Sequence, residues 1–215
     1  MNIKSIIVMV LFSIIVFPLL SNGADLTPQE IIEKVEQTYY KQKTLYAVFE
    51  ETYIWGLTGE EQTVKGELLL EGDQKFHIST ADQIIVSDGT TLKTYNKLEN
   101  QMLVDRLEAT EDDLLPSRIL FKYKEQYDPR LLGEETIQGH ECYKILFTPS
   151  EGDLFYNEVR VWVDQQRWIP RKIEQKSIDG NTTVYTLHEI TLGIEIQNTD
   201  FILTAPENAE IIDMR

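Results

Sequence analysis

The segment Gln83-Ile84-Ile85-Val86-Ser87-Asp88-Gly89-Thr90-Thr91-Leu92-Lys93-Thr94-Tyr95-Asn96 sets two strand-like runs on either side of a Ser-Asp-Gly turn. Asp-Gly between β-prone runs is a strong hairpin signal, because the tight turn needs backbone conformations that glycine adopts without strain. The same grammar recurs along the chain. Leu45, Ala47 and Phe49 share one face of a first strand, with Glu51 continuing that side. Val64, Gly66, Leu68 and Leu70 alternate with Lys65, Glu67, Leu69 and Glu71. Such alternation means one buried and one wet face, the habit of an antiparallel sheet. Gly72-Asp73 turns the chain into Phe76-His77-Ile78, and Met102-Leu103-Val104 returns after the turn at 96–100.

Strands resume beyond Pro129. Leu131 to Thr136 and Glu141 to Thr148 flank Gln138-Gly139, and Glu158, Arg160 and Trp162 alternate with Val159, Val161 and Val163. Trp168 to Lys176 follows the Asp164-Gln165-Gln166 turn, and Asp179-Gly180-Asn181 turns into Thr182 to Ile190. Phe201-Ile202-Leu203 and Ile211-Ile212 are read as the closing strands. The total is about ten strands at the short turn spacing of a meander. No linker or repeat divides them, so one domain is expected.

Two segments break the period. Thr27-Pro28-Gln29-Glu30 is a capping box with proline at the first helical position. Ile31, Ile32, Val35 and Tyr39 then form one apolar stripe down to about Gln42, so this helix lies on something. Leu114 to Phe121 is apolar without alternation. It is expected to pack over the sheet, with Pro116 opening a short helix that carries Ile119 and Leu120.

Residues 1–23 read as a cleavable secretory signal. Lys4 precedes the apolar run Ile6 to Phe17, and Ser21-Asn22-Gly23 sets small residues before Ala24. The run is shorter than the ~20 residues of a membrane anchor. No cysteine near the cleavage site offers a lipid attachment point. An exported, soluble protein beginning near Ala24 is expected. Losing the signal removes only Lys4 among charged groups, which takes the net charge one unit beyond the −16 of the full chain. Nucleic acid and anionic membrane surfaces are poor partners for such a chain. The lone cysteine, Cys142, sits in a strand-like run and reads as a small buried hydrophobe.

Chemistry is not visible. His77, His140 and His188 are far apart, no cysteine cluster or phosphate-cradling glycine loop exists, and adjacent acids on a strand point to opposite faces. Asn181-Thr182-Thr183 matches a glycosylation sequon but is read as a turn. No enzyme, cofactor or metal is expected. Periodicity leaves open whether the apolar faces make an ordinary filled core or line a cavity.

The order of several motifs resembles the outer-membrane lipoprotein carrier protein (LolA) family over the mature region. They are Ala47-Val48-Phe49, Gly66-Glu67-Leu68, Ile85-Val86-Ser87-Asp88-Gly89 with Leu92 and Tyr95-Asn96, and Val161-Trp162-Val163-Asp164. Ile169-Pro170-Arg171-Lys172-Ile173, Asp179 to Tyr185 and Asp200-Phe201 leading to Pro206 complete the set. The resemblance implies a mainly β protein with helices, an unclosed antiparallel β-barrel of about ten or eleven strands with a helical lid over an apolar cavity. It implies a monomeric periplasmic chaperone that takes acylated lipoproteins from an inner-membrane ABC-type exporter and hands them to an outer-membrane acceptor. Residues 24–215 would form that carrier-like domain. Family members carry an Arg-Pro pair before the Phe of the third strand, where the Arg helps hold the lid shut. Here the stretch reads Glu71-Gly72-Asp73-Gln74-Lys75-Phe76, so no latch residue carries over.

From alternation, the expected lipid contacts are Leu45, Ala47, Phe49, Leu68, Leu70, Phe76, Ile78, Leu92, Tyr143, Ile145 and Phe147. Ile32, Val35, Tyr39, Ile119 and Leu120 are the expected lid contacts. The alternative is a periplasmic module of the same fold that binds other lipid cargo or docks a protein as a sensor.

Overall fold

A computed structural model describes residues 26–107, 126–152 and 154–215. Helix α1, Pro28–Gln42, opens it. The Thr27 hydroxyl accepts from the Glu30 N–H at 3.2 Å while the Glu30 carboxylate accepts from the Thr27 N–H at 2.8 Å. Two of the donors that a helix start leaves orphaned are thereby satisfied. Lys43, in the left-handed region at φ 62°, ends the helix and donates to the Tyr39 carbonyl at 2.8 Å.

Twelve strands follow among the described residues. They are β1 Thr44–Ile54, β2 Glu61–Glu71, β3 Lys75–Thr80, β4 Gln83–Asp88, β5 Thr91–Asn96 and β6 Gln101–Arg106. After them come β7 Tyr127–Ile137, β8 His140–Pro149, β9 Tyr156–Asp164, β10 Pro170–Ser177, β11 Thr182–Leu192 and β12 Glu210–Asp213. They form one sheet in the order β12-β6-β5-β4-β3-β2-β1-β11-β10-β9-β8-β7. The first six strands and the next five are two antiparallel meanders, joined where β1 pairs with β11 from Leu45↔Leu192 to Ile54↔Thr182. Among the described residues the edge strands β7 and β12 do not pair, so the sheet is an unclosed barrel.

Alternation sets the faces. Leu45, Ala47 and Phe49 lie in register with Leu70, Leu68 and Gly66 of β2, and Leu68 and Leu70 with Ile78 and Phe76 of β3. This inner face carries the helix. Gly66 is required here: a Cβ would stand 2.7 Å from the Phe49 ring and 2.6 Å from the Ser79 carbonyl. The small residue lets the ring lie flat across β2.

Three details differ from the expectation. Among the described residues the strands number twelve rather than about ten, and the last, β12, pairs parallel to β6, Ile211↔Met102, where an antiparallel meander was expected. β7 begins at Tyr127 and contains Pro129. Proline costs no ladder bond on an edge strand whose open side lacks a partner. Phe201-Ile202-Leu203 is not a strand. Asn198–Phe201 is a 3-10 turn, closed by the Asp200 carboxylate accepting from the Gln197 N–H at 2.8 Å. The carbonyls of Asp200 and Leu203 are taken by His77 Nδ1 and Lys93 Nζ, both at 2.9 Å. Side chains, not a neighbouring strand, hold this segment on the outer face of β3 to β5. Phe201, Val86, Met102 and Val104 are buried.

One ion pair stands inside the second meander. Arg171 and Asp164 are both almost fully buried. Arg171 donates through Nε and Nη2 to Asp164 Oδ2, at 3.0 and 2.8 Å. Burial pushes the Asp164 carboxyl up, but the N–H groups of Arg167 and Gln166 and the Arg171 guanidinium together hold it below its ordinary value. Removing one member strands the other charge, so Asp164→Ala should lower the unfolding free energy by about 3 kcal/mol in urea titrations. A carboxyl depressed by folding contributes stability above its unfolded value of about 3.9 and loses it as the pH falls through the lower folded value. Wild-type stability should therefore fall more steeply than the variant's below about pH 4. Equal slopes would show that the pair carries no pH linkage.

Candidate functional site

Of the fourteen expected contact residues that the structure describes, eleven lie on the inner face of the sheet and three on α1 against it, in two apolar groups. Leu45, Ala47, Phe49, Leu68, Leu70, Phe76 and Leu92 are buried together with Tyr39 of α1, and partly buried Ile78 packs against them. Ile145 and Phe147 are buried with Ile32 and Val35 of α1, and partly buried Tyr143 joins them. Tyr143 stacks on Trp168 with ring centres 6.0 Å apart. Helix α1 thus spans both groups, its N-terminal half over the second meander and Tyr39 over the first. Ile119 and Leu120, and the whole excursion Leu114–Phe121, lie outside the described residues.

Ile31 of the expected stripe is fully buried beside Ile32, and Val159, Val161, Val163 and Ile173, not among the expected contacts, extend the second group across β9 and β10. Their alternation was visible, but nothing in one strand says which of its faces meets the helix. Ile169, Ile190 and Leu107 complete the first group. They sit at element ends, where periodicity is silent.

The helix is fastened at one end. The Tyr39 hydroxyl donates to the Gly72 carbonyl in the turn between β2 and β3, and the Gly72 N–H donates to the Lys43 carbonyl at 2.8 Å. Burial pushes the Tyr39 hydroxyl's pKa up, so it remains a donor at neutral pH. Towards the other end Ile31, Ile32 and Val35 pack in the second apolar group, and the Lys34 ammonium lies 4.8 Å over the Trp168 ring.

The inner face is not apolar throughout. Glu51 follows Phe49 in the same row, beside Val64 of β2 and Tyr185 of β11. Burial pushes its carboxyl up, and a hydrogen bond from the Tyr185 hydroxyl opposes that push. Elsewhere, Cys142 is fully buried and its thiol is pushed up to about 11 by burial and by Asp164. It is no nucleophile at neutral pH. Among the described residues no group of three His, Cys, Asp or Glu side chains could hold a metal. A polar cleft of about 750 Å³ lies away from the helix, lined by Gln74, Gly89, Thr90, Thr91, Arg106, Asp213 and Arg215.

A family model described only as an uncharacterized protein matches residues 108–189. The chain is similar to the outer-membrane lipoprotein carrier protein of Francisella tularensis, at 28% identity covering 98% of this chain and 97% of that one. It is also 24% identical over 85% of its length to the uncharacterized protein MJ0687 of Methanocaldococcus jannaschii, and spans about half of that relative, 53%. A crystal structure of an uncharacterized conserved protein from Thermus thermophilus shares the fold, with TM-score 0.60 at 12% identity over 86% of this chain and 98% of that one. The chain resembles the lipoprotein carrier family, and its open, helix-bearing sheet is the fold that this resemblance implies.

Tyr39→Phe removes one hydrogen bond and little volume. It should cost about 1 kcal/mol of global stability. Amide exchange should quicken most in the last turn of α1 and at Gly72. Uniform acceleration across the sheet would mean that the bond does not fix the helix locally.

Proposed function

We propose that the inner face holds lipoprotein acyl chains, and that residues 24–215, freed of a signal at 1–23, carry them across the periplasm. The donor is an inner-membrane ABC-type exporter and the acceptor lies at the outer membrane. One observation carries this reading. Among the described residues an amphipathic helix covers two adjoining apolar groups on a sheet whose edge strands do not pair, in a chain that is similar to a lipoprotein carrier over nearly its whole length. Acyl chains gain ~0.8 kcal/mol per buried CH₂ and need shielding from water in transit. An apolar trough that empties and refills also needs a cover of its own. A helix seated mainly by apolar contacts supplies that cover without chemistry.

A second reading has its own observation. Trp55, Leu57, Phe155 and Ile178 are exposed at three turns that hold one another. The Gly56 N–H donates to Asn181 Oδ1 at 3.0 Å and the Ile178 N–H to the Phe155 carbonyl at 2.9 Å. Leu57 is 98% exposed. An apolar patch of this kind suits a protein partner, as expected of a docking or sensor module.

Native mass spectrometry of the protein, drawn from a periplasmic extract without detergent, separates the two. A bound acylated lipoprotein supports the carrier. A bound protein without acyl chains, lost on Leu57→Glu, supports the docking module. Within the carrier reading, Leu68→Glu should lower uptake of a triacylated lipopeptide at least roughly tenfold, only about 1.4 kcal/mol against the cost of seating a carboxylate among acyl chains. Circular dichroism should stay unchanged. Undiminished uptake would place the chains elsewhere, and an unfolded variant would mark Leu68 as part of a filled core.

A further inference from the structure

We propose that Glu51, with Tyr185 beside it, receives a cationic ammonium group at the polar head of a ligand whose acyl chain lies along the apolar row of β1. The inference rests on the acyl-binding reading above and adds the chemistry of the head. It starts from register. Leu45, Ala47 and Phe49 are three successive inward positions of β1, and Glu51 is the fourth. Its neighbours across the sheet are Val64 on one side and Tyr185 on the other, and Tyr185 lies in register with Ile173 of β10. Two residues beyond Ile173, Gln175 is 3% exposed and lies in register with Thr183. The apolar row thus runs from Leu45 towards the turn after Ile54 and gives way there to Glu51, Tyr185 and Gln175.

Glu51 is half-buried, and among the described residues the ion pairs do not include it. The neighbouring acid Glu50 does have a cation, Lys65 at 2.9 Å, but on the opposite, outer face. The Tyr185 hydroxyl hydrogen-bonds the Glu51 carboxyl and brings no charge. A carboxylate drawn out of water without a counter-ion is costly, and an opposite charge delivered by a ligand recovers that cost where a neutral donor does so only in part. An anionic head would meet like charge both at Glu51 and across this acidic protein, so the site discriminates by repulsion as well as attraction. A chain seated on Phe49, Ala47 and Leu45 brings its head group to Glu51, since the two lie on one face two residues apart.

Three amphiphiles with the same ten-carbon chain test this: decylammonium, decanol and decanoate, titrated calorimetrically at pH 7 below their micellar concentrations. The wild type should bind decylammonium at least about tenfold more tightly than decanoate, with decanol between. Glu51→Gln should bring the three within about threefold of one another. Glu50→Gln makes the same charge change on the outer face and should keep the wild-type order. A preference that survives Glu51→Gln, or that Glu50→Gln removes equally, overturns the proposal in favour of the protein's overall field. Equal binding of all three by the wild type overturns it while leaving acyl binding intact. Binding of none removes the acyl-binding reading itself. A second readout needs no variant: a carbodiimide should couple bound decylamine to Glu51 ahead of the exposed acids, as peptide mass mapping would show. Coupling spread evenly over surface carboxylates would count against the site.

Discussion

The pairing of β1 with β11 is the constraint on which the rest depends. Residues 44–54 and 182–192 come from opposite ends of the folded chain, yet they run side by side from Leu45↔Leu192 to Ile54↔Thr182. Without that ladder the two meanders would be separate sheets, each with an apolar face and nothing to cover it. The entropy of closing so long a loop grows only slowly with its length, by about 0.6 kcal/mol per doubling. The ladder's backbone bonds and its cross-strand contacts, Phe49 beside Leu187 among them, offset it. A register shift between Tyr46 and Val48 bends the junction. The helix then needs to span only one continuous surface.

The two faces of this sheet keep apart what the sequence interleaves. While the inner face gathers the apolar groups, the outer face of the second meander is a cross-strand network. Arg160 donates to both Glu158 and Glu174, and Lys144 donates to Glu135 at 2.9 Å. Trp162 sits in the middle, 2% exposed although it points away from the helix. Lys144 and Lys172 from the flanking strands lie 4.9 and 4.4 Å from its ring, and its indole N–H donates to Glu135 at 3.0 Å. Those hydrogen bonds from Trp162 and Lys144 hold the Glu135 carboxyl below its ordinary value. Among the described residues, lysine stems cover this aromatic.

Much of this was legible because period two and helical period are local. The capping box at Thr27 and Glu30, the stripe Ile31, Ile32, Val35 and Tyr39, and the inward row of β1 follow from spacing alone. What failed was non-local. Trp162 alternates with three valines and reads as part of a wet face, since its burial depends on lysines from two other strands. Phe201-Ile202-Leu203 has strand composition, but His77 and Lys93 occupy carbonyls that a ladder would use. Ile211-Ile212 looked like another strand of an antiparallel meander and instead runs parallel to β6. The valines of β9 showed their alternation and not their partner, because a strand does not record which of its faces a distant helix will choose.

The way α1 is held has a consequence for any ligand of the inner face. Dispersion and hydrophobic contacts are non-directional, so an acyl chain lying on the inner face, as proposed above, would replace Ile31, Ile32 and Val35 against Ile145, Val161 and Ile173 with little loss. Hydrogen bonds are directional, and a hydrocarbon chain cannot replace the donation of Tyr39 to Gly72 or of Gly72 to Lys43. On that proposal, exchange of helix for ligand would cost least where Ile31, Ile32 and Val35 pack and most at Tyr39 and Gly72. The Thr27–Glu30 box satisfies the helix start from within, so the N-terminal half would carry its own cap when its apolar contacts are exchanged. The turn at Gly72, where the Arg-Pro pair expected from the resemblance is missing, is a point at which this helix is bonded to the sheet. A helix tyrosine is the donor there and a backbone carbonyl the acceptor.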